Sequence, residues 1–178
     1  GQRRNEPTKR REVKSLSQQA EIQAFLDTYG QLAEAVAGLS GDELRWKEAP
    51  GKWSVTEVLA HLADHSIVTS FRVRAILAGS TARLPAFEQD PWVAGQKANE
   101  AGADDILAAY RALLHYNAQL FSRLTDEELA KTGVNARGES VSIADLIRGF
   151  VRHVHNHLGQ IDRIKQAQRA AGLNAAQA

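Results

Sequence analysis

The sequence predicts an all-α protein built as a four-helix bundle. Four long stretches repeat apolar side chains at the spacing of an α-helix. No run alternates apolar and polar residues for long enough to predict a strand. The connection between the second and third stretches is much longer than the others, as in bundles that contain a crossover. Helices packed around one core are therefore the predicted architecture.

Length and composition predict one globular domain over residues 15–178, preceded by a basic tail over residues 1–14. The chain has 178 residues, of which 43% are hydrophobic and 24% charged, enough for one sizeable core. The tail carries six Lys and Arg residues against two Glu residues, whereas the net charge of the whole chain is only +1. The remaining body is therefore mildly acidic, and we interpret the tail as a solvated, frayed terminus.

Composition and patterning argue against several functions. A duplex-binding protein needs a basic face with several phosphate contacts, and the tail is the only basic cluster, so no nucleic-acid partner is expected. No apolar run approaches the roughly 18 residues of a membrane span, and no hydrophobic signal segment follows the basic start. We therefore expect a cytoplasmic protein without a membrane partner. The chain has no cysteine, so any thiol in its chemistry must come from another molecule.

The first two long helices have clear limits in the sequence. The first is predicted from Leu16 to Val36, before Gly38 ends it. The second is predicted from Val55 to about Leu77. Ser54 lies just before that helix and Glu57 lies in its first turn. This is the spacing of a capping box, in which each of the two side chains hydrogen-bonds the backbone N–H of the other residue.

The long connection over residues 79–102 contains no sustained periodicity. Asp90 is predicted to cap a short helix inside it, with proline in the first turn. A connection of this length suits a crossover between parallel helices, or a lid over a site, better than a tight hairpin. The third long helix is predicted from about Asp104 to Leu124, and residues 134–140 are predicted as a loop before the fourth helix.

The fourth helix, capped by Ser142 and Asp145, carries two histidines on or beside its apolar stripe. His157 falls within that stripe and His153 lies at its edge, whereas His155 points to the solvent side. Side chains at i and i+4 lie about 5–6 Å apart at Cβ, so these two imidazoles can converge on one metal ion. Two ligands do not make a stable site, and a third is needed from another helix.

The second helix offers two candidates for that third ligand. His61 and His65 lie on the same flank of its apolar stripe, and their spacing alone does not choose between them. A histidine on such a flank is by default partly exposed and without a special role. In bundles, however, metal sites are built from side chains on facing helices, which is what one of these histidines and the later pair would supply.

Several sequence segments together resemble the DinB-like (YfiT-like) superfamily of bacterial damage- and stress-associated four-helix bundles. They are PGKWSVTEVLAHLADHS, RAILAG followed by LPAFEQDPW, RGESVSIADLI and HVHNHLGQI. The resemblance covers nearly the whole chain after about residue 16. It implies an up-down-down-up bundle, commonly a homodimer, in which one histidine of the second helix and an H-x-x-x-H pair of the fourth hold a divalent metal.

The metal ligands implied by the resemblance follow from matching its motifs to this chain. The pattern WS-x-x-E-x-x-x-H places its histidine at His61, which selects His61 over His65. The pattern H-x-x-x-H-x-G-Q falls on His153, His157 and the following Gln160. The implied ligands are therefore His61, His153 and His157.

Three imidazoles around one ion suggest a catalytic rather than a structural metal centre. Structural zinc sites normally close with four protein ligands, whereas three leave a position for water or substrate. Nickel is also compatible with imidazole ligands, so zinc or nickel is the expected cofactor. Such an ion brings the pKa of a bound water to about 7 and likewise favours a bound thiolate.

The expected function is that of a metal-dependent enzyme that activates an external nucleophile on a small-molecule substrate. Transfer of a low-molecular-weight thiol to an electrophile is preferred, because the resembled superfamily includes thiol transferases. In addition, no carboxylate base sits beside the ligands as Glu does in H-E-x-x-H hydrolases. Metal-dependent hydrolysis is the close alternative, and a non-catalytic, metal-stabilised stress-response or interaction bundle is a third.

Other polar residues are candidates for supporting roles at this centre. Gln160, one turn from His157, either hydrogen-bonds a ligand imidazole or the substrate, or is a surface amide. Asn117 faces the interior side of the third helix, and it and His65 are candidates to support the ligands or the substrate. Asp64 points away from the apolar stripe of the second helix and is interpreted as a solvated charge.

Overall fold

The computed structural model describes residues 15–173, which form seven α-helices, one 3₁₀ turn and a two-stranded hairpin. The basic tail over residues 1–14 lies outside the described residues. No helix within the described range is long and apolar enough to cross a membrane. The elements are α1 Leu16–Val36, α2 Gly41–Arg45, α3 Val55–Leu77, α4 Gln89–Gly95, a 3₁₀ turn Ala98–Glu100, α5 Ala103–Arg123, α6 Asp126–Leu129, β1 Thr132–Val134, β2 Ser140–Ser142 and α7 Ile143–Ala170.

The four long helices α1, α3, α5 and α7 form a four-helix bundle, as predicted. The first and last run parallel, because Arg148 pairs with Glu21 at 3.1 Å near the start of both helices. Near the end of both, the Lys165 ammonium donates to the carbonyl oxygen of Ala35 at 2.9 Å. Two helices at opposite ends of the chain therefore lie side by side in the same direction.

The middle pair, α3 and α5, is also parallel. Ser54, just before α3, donates its hydroxyl to Asn99, just before α5, at 2.6 Å. Farther along both helices, Asn117 donates to the hydroxyl of Ser70 at 2.7 Å. The chain must therefore return along the bundle between α3 and α5, and the crossover over residues 78–102 makes that return. The resulting order is up-down-down-up.

Aromatic side chains fill the centre of the bundle. The ring of Phe25 on α1 lies 5.1 Å from that of Phe121 on α5 and 4.6 Å from that of Phe150 on α7, between ring centroids. All three are fully buried. Burial of each such side chain contributes about 1.5–3 kcal/mol relative to exposure, so the core is assembled without any metal.

Capping boxes set where the helices begin. The predicted box at the start of α3 is present: the Ser54 hydroxyl accepts from the Glu57 N–H at 3.1 Å, and the Glu57 carboxylate accepts from the Ser54 N–H at 3.0 Å. Its position fixes how the chain turns into α3 and so orients the first two turns of that helix. Reciprocal boxes also begin three other helices: Ser40 with Glu43, Thr125 with Glu128, and Ser142 with Asp145.

The segment predicted as a loop over residues 134–140 is instead part of a β-hairpin. β1 and β2 pair antiparallel, with Thr132 opposite Ser142. Strands of three residues are too short to show the alternation that predicts a strand from sequence. The hairpin is held against the crossover, because the Leu84 N–H donates to the carbonyl oxygen of Val134 at 2.8 Å.

The short helix in the crossover starts two residues earlier than predicted. α4 begins at Gln89, and Glu88 occupies the position before it without a capping hydrogen bond from its side chain. Asp90, the predicted cap, lies within the first turn. The prediction was wrong because this helix of seven residues is held by the crossover around it and uses no side-chain cap.

Gly133→Ala tests the close packing of the hairpin on α3. A Cβ at this position would lie 2.8 Å from Cγ1 of Ile76, a buried core residue. We expect the free energy of unfolding to fall by about 1–3 kcal/mol, as for other overpacked sites. Urea denaturation followed by circular dichroism measures this change.

Gly30→Ala is the matched control, because nothing lies within 4 Å of its added Cβ and the residue is in the middle of α1. We expect this substitution to raise the free energy of unfolding by about 0.5–1 kcal/mol through helix propensity. An unchanged stability for Gly133→Ala would contradict the packing of the hairpin described here.

Candidate metal centre

Three histidines from two helices converge at the contact between α3 and α7. The Nε2 atom of His153 lies 2.9 Å from Nε2 of His61 and 3.2 Å from Nε2 of His157. His61 is only 1% exposed, and the other two are half-buried. The structure thus brings together the three residues that the sequence analysis selected.

The spacing of these nitrogen atoms fits one metal ion. Ligand atoms about 2.0–2.1 Å from a tetrahedral ion lie about 3.3 Å from one another. The two Nε2 separations at His153 are close to this value. A neutral imidazole has only one N–H, so three nitrogen atoms facing one another are satisfied better by a shared cation than by hydrogen bonds among themselves.

The protonation state of the cluster also suits metal binding. Burial is the largest effect on all three imidazoles, and it lowers the pKa of each below its ordinary value. Burial and the neighbouring imidazoles together bring the pKa of His61 to about 3 and that of His153 to about 4. The rings are therefore neutral near pH 7, and their lone pairs are available to a cation.

Gln160 fixes the orientation of one of these rings. Its side-chain oxygen accepts a hydrogen bond from Nδ1 of His157 at 2.7 Å. With its proton on Nδ1, His157 directs the lone pair of Nε2 toward the cluster, as in metal sites where a second residue orients the ligand. Of the two roles considered for Gln160, the structure shows the hydrogen bond to a clustered imidazole.

Aromatic side chains enclose the cluster. The ring of Phe87, from the crossover, stacks on His61 at 5.4 Å with an interplanar angle of 5°. Trp53 lies 5.1 Å from His61 and 6.3 Å from His157, between ring centroids. The sequence analysis did not predict a contact of either Trp53 or Phe87 with the histidines. Helical periodicity does not extend into the crossover, so the sequence does not show which helix face a crossover side chain will contact.

The cluster borders two cavities. A cavity of about 490 Å³ is lined by His61 and His153 together with residues of the crossover and hairpin. A smaller one, of about 200 Å³, is lined by His157, Gln160 and Asp90. Gln89 lines both cavities. Small molecules can therefore reach the clustered nitrogen atoms from two sides.

His65 lies beside the cluster but outside the convergent set. Its ring centroid is 4.0 Å from that of His153 and 5.4 Å from that of Phe150. Burial lowers the pKa of His65 well below its ordinary value. His65 is partly exposed, as expected, but its ring also packs against α7, which runs antiparallel to α3 along this flank. His65 packs against a candidate ligand without joining the set of converging nitrogen atoms.

Asn117 lies in the interior, as expected, but its side-chain hydrogen bonds do not reach the cluster. The oxygen of Asn117 accepts from Arg74 at 2.8 Å and its nitrogen donates to Ser70, so its hydrogen bonds join α5 to α3 and not to the cluster.

Asp64 is only 6% exposed and accepts from Gln96 at 2.6 Å. Burial raises its pKa. Its interpretation as a solvated charge was wrong because the crossover packs over this face of α3.

The sequence matches a family model that describes the DinB superfamily, over residues 24–161. This match includes all three clustered histidines and most of the four long helices. The chain belongs to the DinB superfamily. The resemblance of its motifs to this superfamily is thereby confirmed.

Relatives within the DinB superfamily carry names that refer to metal-dependent hydrolysis. A candidate metal-dependent hydrolase of Oceanobacillus iheyensis is 26% identical over 140 residues, which cover 76% of this chain and 79% of that protein. YfiT of Bacillus subtilis, also named as a candidate metal-dependent hydrolase, is 23% identical over 146 residues, covering 82% of each chain. These names describe the relatives, and the shared property they suggest is a bound metal.

Two solved structures share this fold. The structure of Bacillus subtilis YfiT, described as an unusual four-helix bundle topology, superposes with a TM-score of 0.78 at 22% identity and covers 94% of both chains. A mycothiol-dependent maleylpyruvate isomerase superposes with a TM-score of 0.66 at 11% identity and covers 81% of this chain and 60% of its own. At these identities the likeness establishes the fold.

Substitution of the clustered histidines tests their role directly. We expect His61→Ala and His157→Ala each to lower the metal content of the zinc-loaded protein from about one ion per chain to near zero, because two imidazoles do not hold zinc tightly. Elemental analysis of the untagged protein after dialysis measures the content. Helical content should remain, since the aromatic core does not include these residues.

Two neighbouring histidines serve as controls. His155 is exposed and contacts Gln31 at 3.2 Å, and His65 lies outside the convergent set, so His155→Ala and His65→Ala should retain the ion. Equal metal content in wild type and in both ligand variants would contradict the assignment of the ligands.

The metal-free protein should lose stability as the pH falls. The pKa values of His61 and His153 in the folded chain, about 3 and about 4, lie below the unfolded value of 6.5, so the unfolded state binds more protons. The free energy of unfolding should therefore decrease from pH 6.5 toward pH 4, by up to about 1.4 kcal/mol per pH unit for each neutral histidine. Urea denaturation at several pH values measures the slope. If the free energy of unfolding depends on pH in His61→Ala as steeply as in the wild type, this account is contradicted.

Proposed function

We propose that the protein is a metal-dependent enzyme in which His61, His153 and His157 hold a divalent ion, zinc or nickel. The observation that supports this most directly is the convergence of three neutral imidazoles, two of which, His61 and His153, line an open cavity of about 490 Å³. A structural site would be closed by a fourth protein ligand. Cavities of this size accept small-molecule ligands, so the substrate is a small molecule.

The residues around the proposed ion have separate tasks. When bound, such an ion supplies positive charge that favours the deprotonated form of a nucleophile beside it. Gln160 keeps His157 in the tautomer whose lone pair faces the cluster. Trp53 and Phe87 reduce the access of water to the imidazoles, which strengthens electrostatic interactions in the site.

The preferred reaction is transfer of a low-molecular-weight thiol to an electrophile. The thiol releases its proton to solvent, its sulfur forms a bond to the electrophilic carbon, and a leaving group, bromide in the case of a bromoalkyl electrophile, departs with the electron pair of its bond to that carbon. Two cavities, both lined by Gln89, give room for two reactants on different sides of the histidine cluster. Among the described residues no carboxylate lines the larger cavity, and a thiol needs less help from a base than water does. A structural neighbour is named as mycothiol-dependent, which is consistent with a thiol in this fold.

Metal-dependent hydrolysis is the second candidate. Asp90 lines the smaller cavity together with His157 and is a carboxylate that can accept a proton from water. The names of the curated relatives also refer to hydrolysis. The non-catalytic, metal-stabilised bundle is a third possibility, and it predicts bound metal without turnover. The homodimer, the stress-response role and the cytoplasmic location stay predictions.

Asp90→Asn distinguishes the two reactions. The zinc-loaded protein is incubated with 2-mercaptoethanol and monobromobimane to follow thiol transfer, and separately with 4-nitrophenyl acetate to follow hydrolysis. If thiol transfer is the function, the variant keeps the thiol rate within about twofold, because no general base is required. If hydrolysis is the function, loss of the base lowers the hydrolytic rate by about 10²–10⁴-fold.

The metal-free protein and the His157→Ala variant are the controls for both assays. Rates above the metal-free background that disappear in His157→Ala support a metal-dependent enzyme. Rates that are equal with and without metal for both reactions would contradict the proposed function and favour the non-catalytic bundle.

A further inference from the structure

One wall of the larger cavity carries two arginines and no acid. Arg72 of α3 and Arg137 of the hairpin both line it, together with His61 and His153. Within residues 15–173, no Asp or Glu lines the cavity, and neither guanidinium forms an ion pair with a carboxylate. Two positive charges therefore face the same space without a negative partner from the chain.

Arg72 is held on the same face of α3 as the histidines. It follows His61 by eleven residues and His65 by seven, which returns it to nearly the same side of the helix. Its charge contributes to the lowered pKa of His65. One nitrogen of its guanidinium donates to the carbonyl oxygen of Pro85 at 2.8 Å. This hydrogen bond holds the guanidinium group in one orientation and leaves its other N–H donors for a ligand.

The hairpin presents further donors to the cavity. The side-chain oxygen of Asn135 accepts from the backbone N–H of Arg137 at 3.0 Å and from that of Glu139 at 2.9 Å. The oxygen is therefore occupied, and the amide N–H groups of Asn135 remain to bond a ligand. Arg72, Asn135 and Arg137 thus form a wall of hydrogen-bond donors, of which two are positively charged.

We propose that this donor wall, defined as Arg72, Asn135 and Arg137, binds a carboxylate or phosphate group of the substrate. Both groups offer only acceptor oxygens at neutral pH, and arginine recognises both through paired N–H donors. The inference rests on the proposed function, since it names the class of reactant that occupies the larger cavity. The enzyme selects an anionic small molecule.

The position of the wall also specifies the shape of that molecule. The Cα atoms of His61 and Arg72 are separated by about 16 Å along α3, at 1.5 Å per residue. Helical side chains lean toward the N-terminus, so the Arg72 side chain shortens this gap. The anionic group therefore lies several bonds away from the reacting atom, which is placed beside the histidines.

Two matched thiols test this inference on cobalt-substituted protein. 6-Mercaptohexanoate and 6-mercaptohexanol have the same length and differ in a terminal carboxylate or hydroxymethyl group. Binding of each is followed by the thiolate-to-cobalt charge-transfer absorption. The carboxylate should bind at least about tenfold more tightly, as expected for charge-assisted hydrogen bonds.

Substitutions show whether the donor wall causes that preference. Arg72→Gln and Arg137→Gln should each reduce the preference several-fold, and the double variant should abolish it, while the affinity for 6-mercaptohexanol stays within about twofold. Arg83→Gln is the control, because Arg83 is exposed near Gly138 but does not line the cavity. Equal binding of the two thiols by the wild type would overturn the inference without affecting the metal centre.

A second measurement does not depend on the metal. Hexanoate and inorganic phosphate are titrated separately into the metal-free protein, and the guanidinium signals of Arg72 and Arg137 are followed by NMR. Shifts that saturate in the wild type and vanish in the double variant support the donor wall, and the tighter ion identifies the anionic group. No saturable shift with either ion would overturn the inference.

The thiol experiment also tests the proposed metal site separately. Absence of the cobalt charge-transfer absorption with both thiols would contradict that site and not the donor wall.

Discussion

The site depends on the antiparallel packing of α3 against α7. This contact places His61 within hydrogen-bond distance of His153, which no local interaction within either helix can do. It also buries polar rings, which costs free energy where their nitrogen atoms lack partners. In the described part of the chain, the buried Nδ1 atoms of His61, His65 and His153 have no hydrogen-bond partner. A bound cation would offset part of this cost, because binding to the folded state alone stabilises it.

The up-down-down-up order makes that packing possible and determines what covers it. Since α3 and α5 are parallel, the chain needs a long crossover, and this crossover supplies Phe87 above His61 and Gln89 between the two cavities. The hairpin before α7 supplies Arg137 to the same space. The helices thus carry the histidines, while the two irregular segments form much of the walls of the cavities beside them.

The helices and the three histidines could be predicted from sequence because their signals are local. A period of 3.6 residues marks α1 and α3, a capping box marks the start of α3, and the i, i+4 spacing relates His153 to His157. The choice of His61 needed the family motif. The burial of Asp64, the contacts of Asn117 and the hairpin could not be predicted, since each depends on packing between segments far apart in the chain.

The measurement that tests the central claim most directly is an anomalous-diffraction map of crystals of the zinc-loaded protein. The account predicts one zinc peak within about 2.0–2.1 Å of the Nε2 atoms of His61, His153 and His157, with a remaining position that no protein atom fills. A zinc peak elsewhere, a fourth protein ligand that closes the site, or no peak at the three histidines would contradict it.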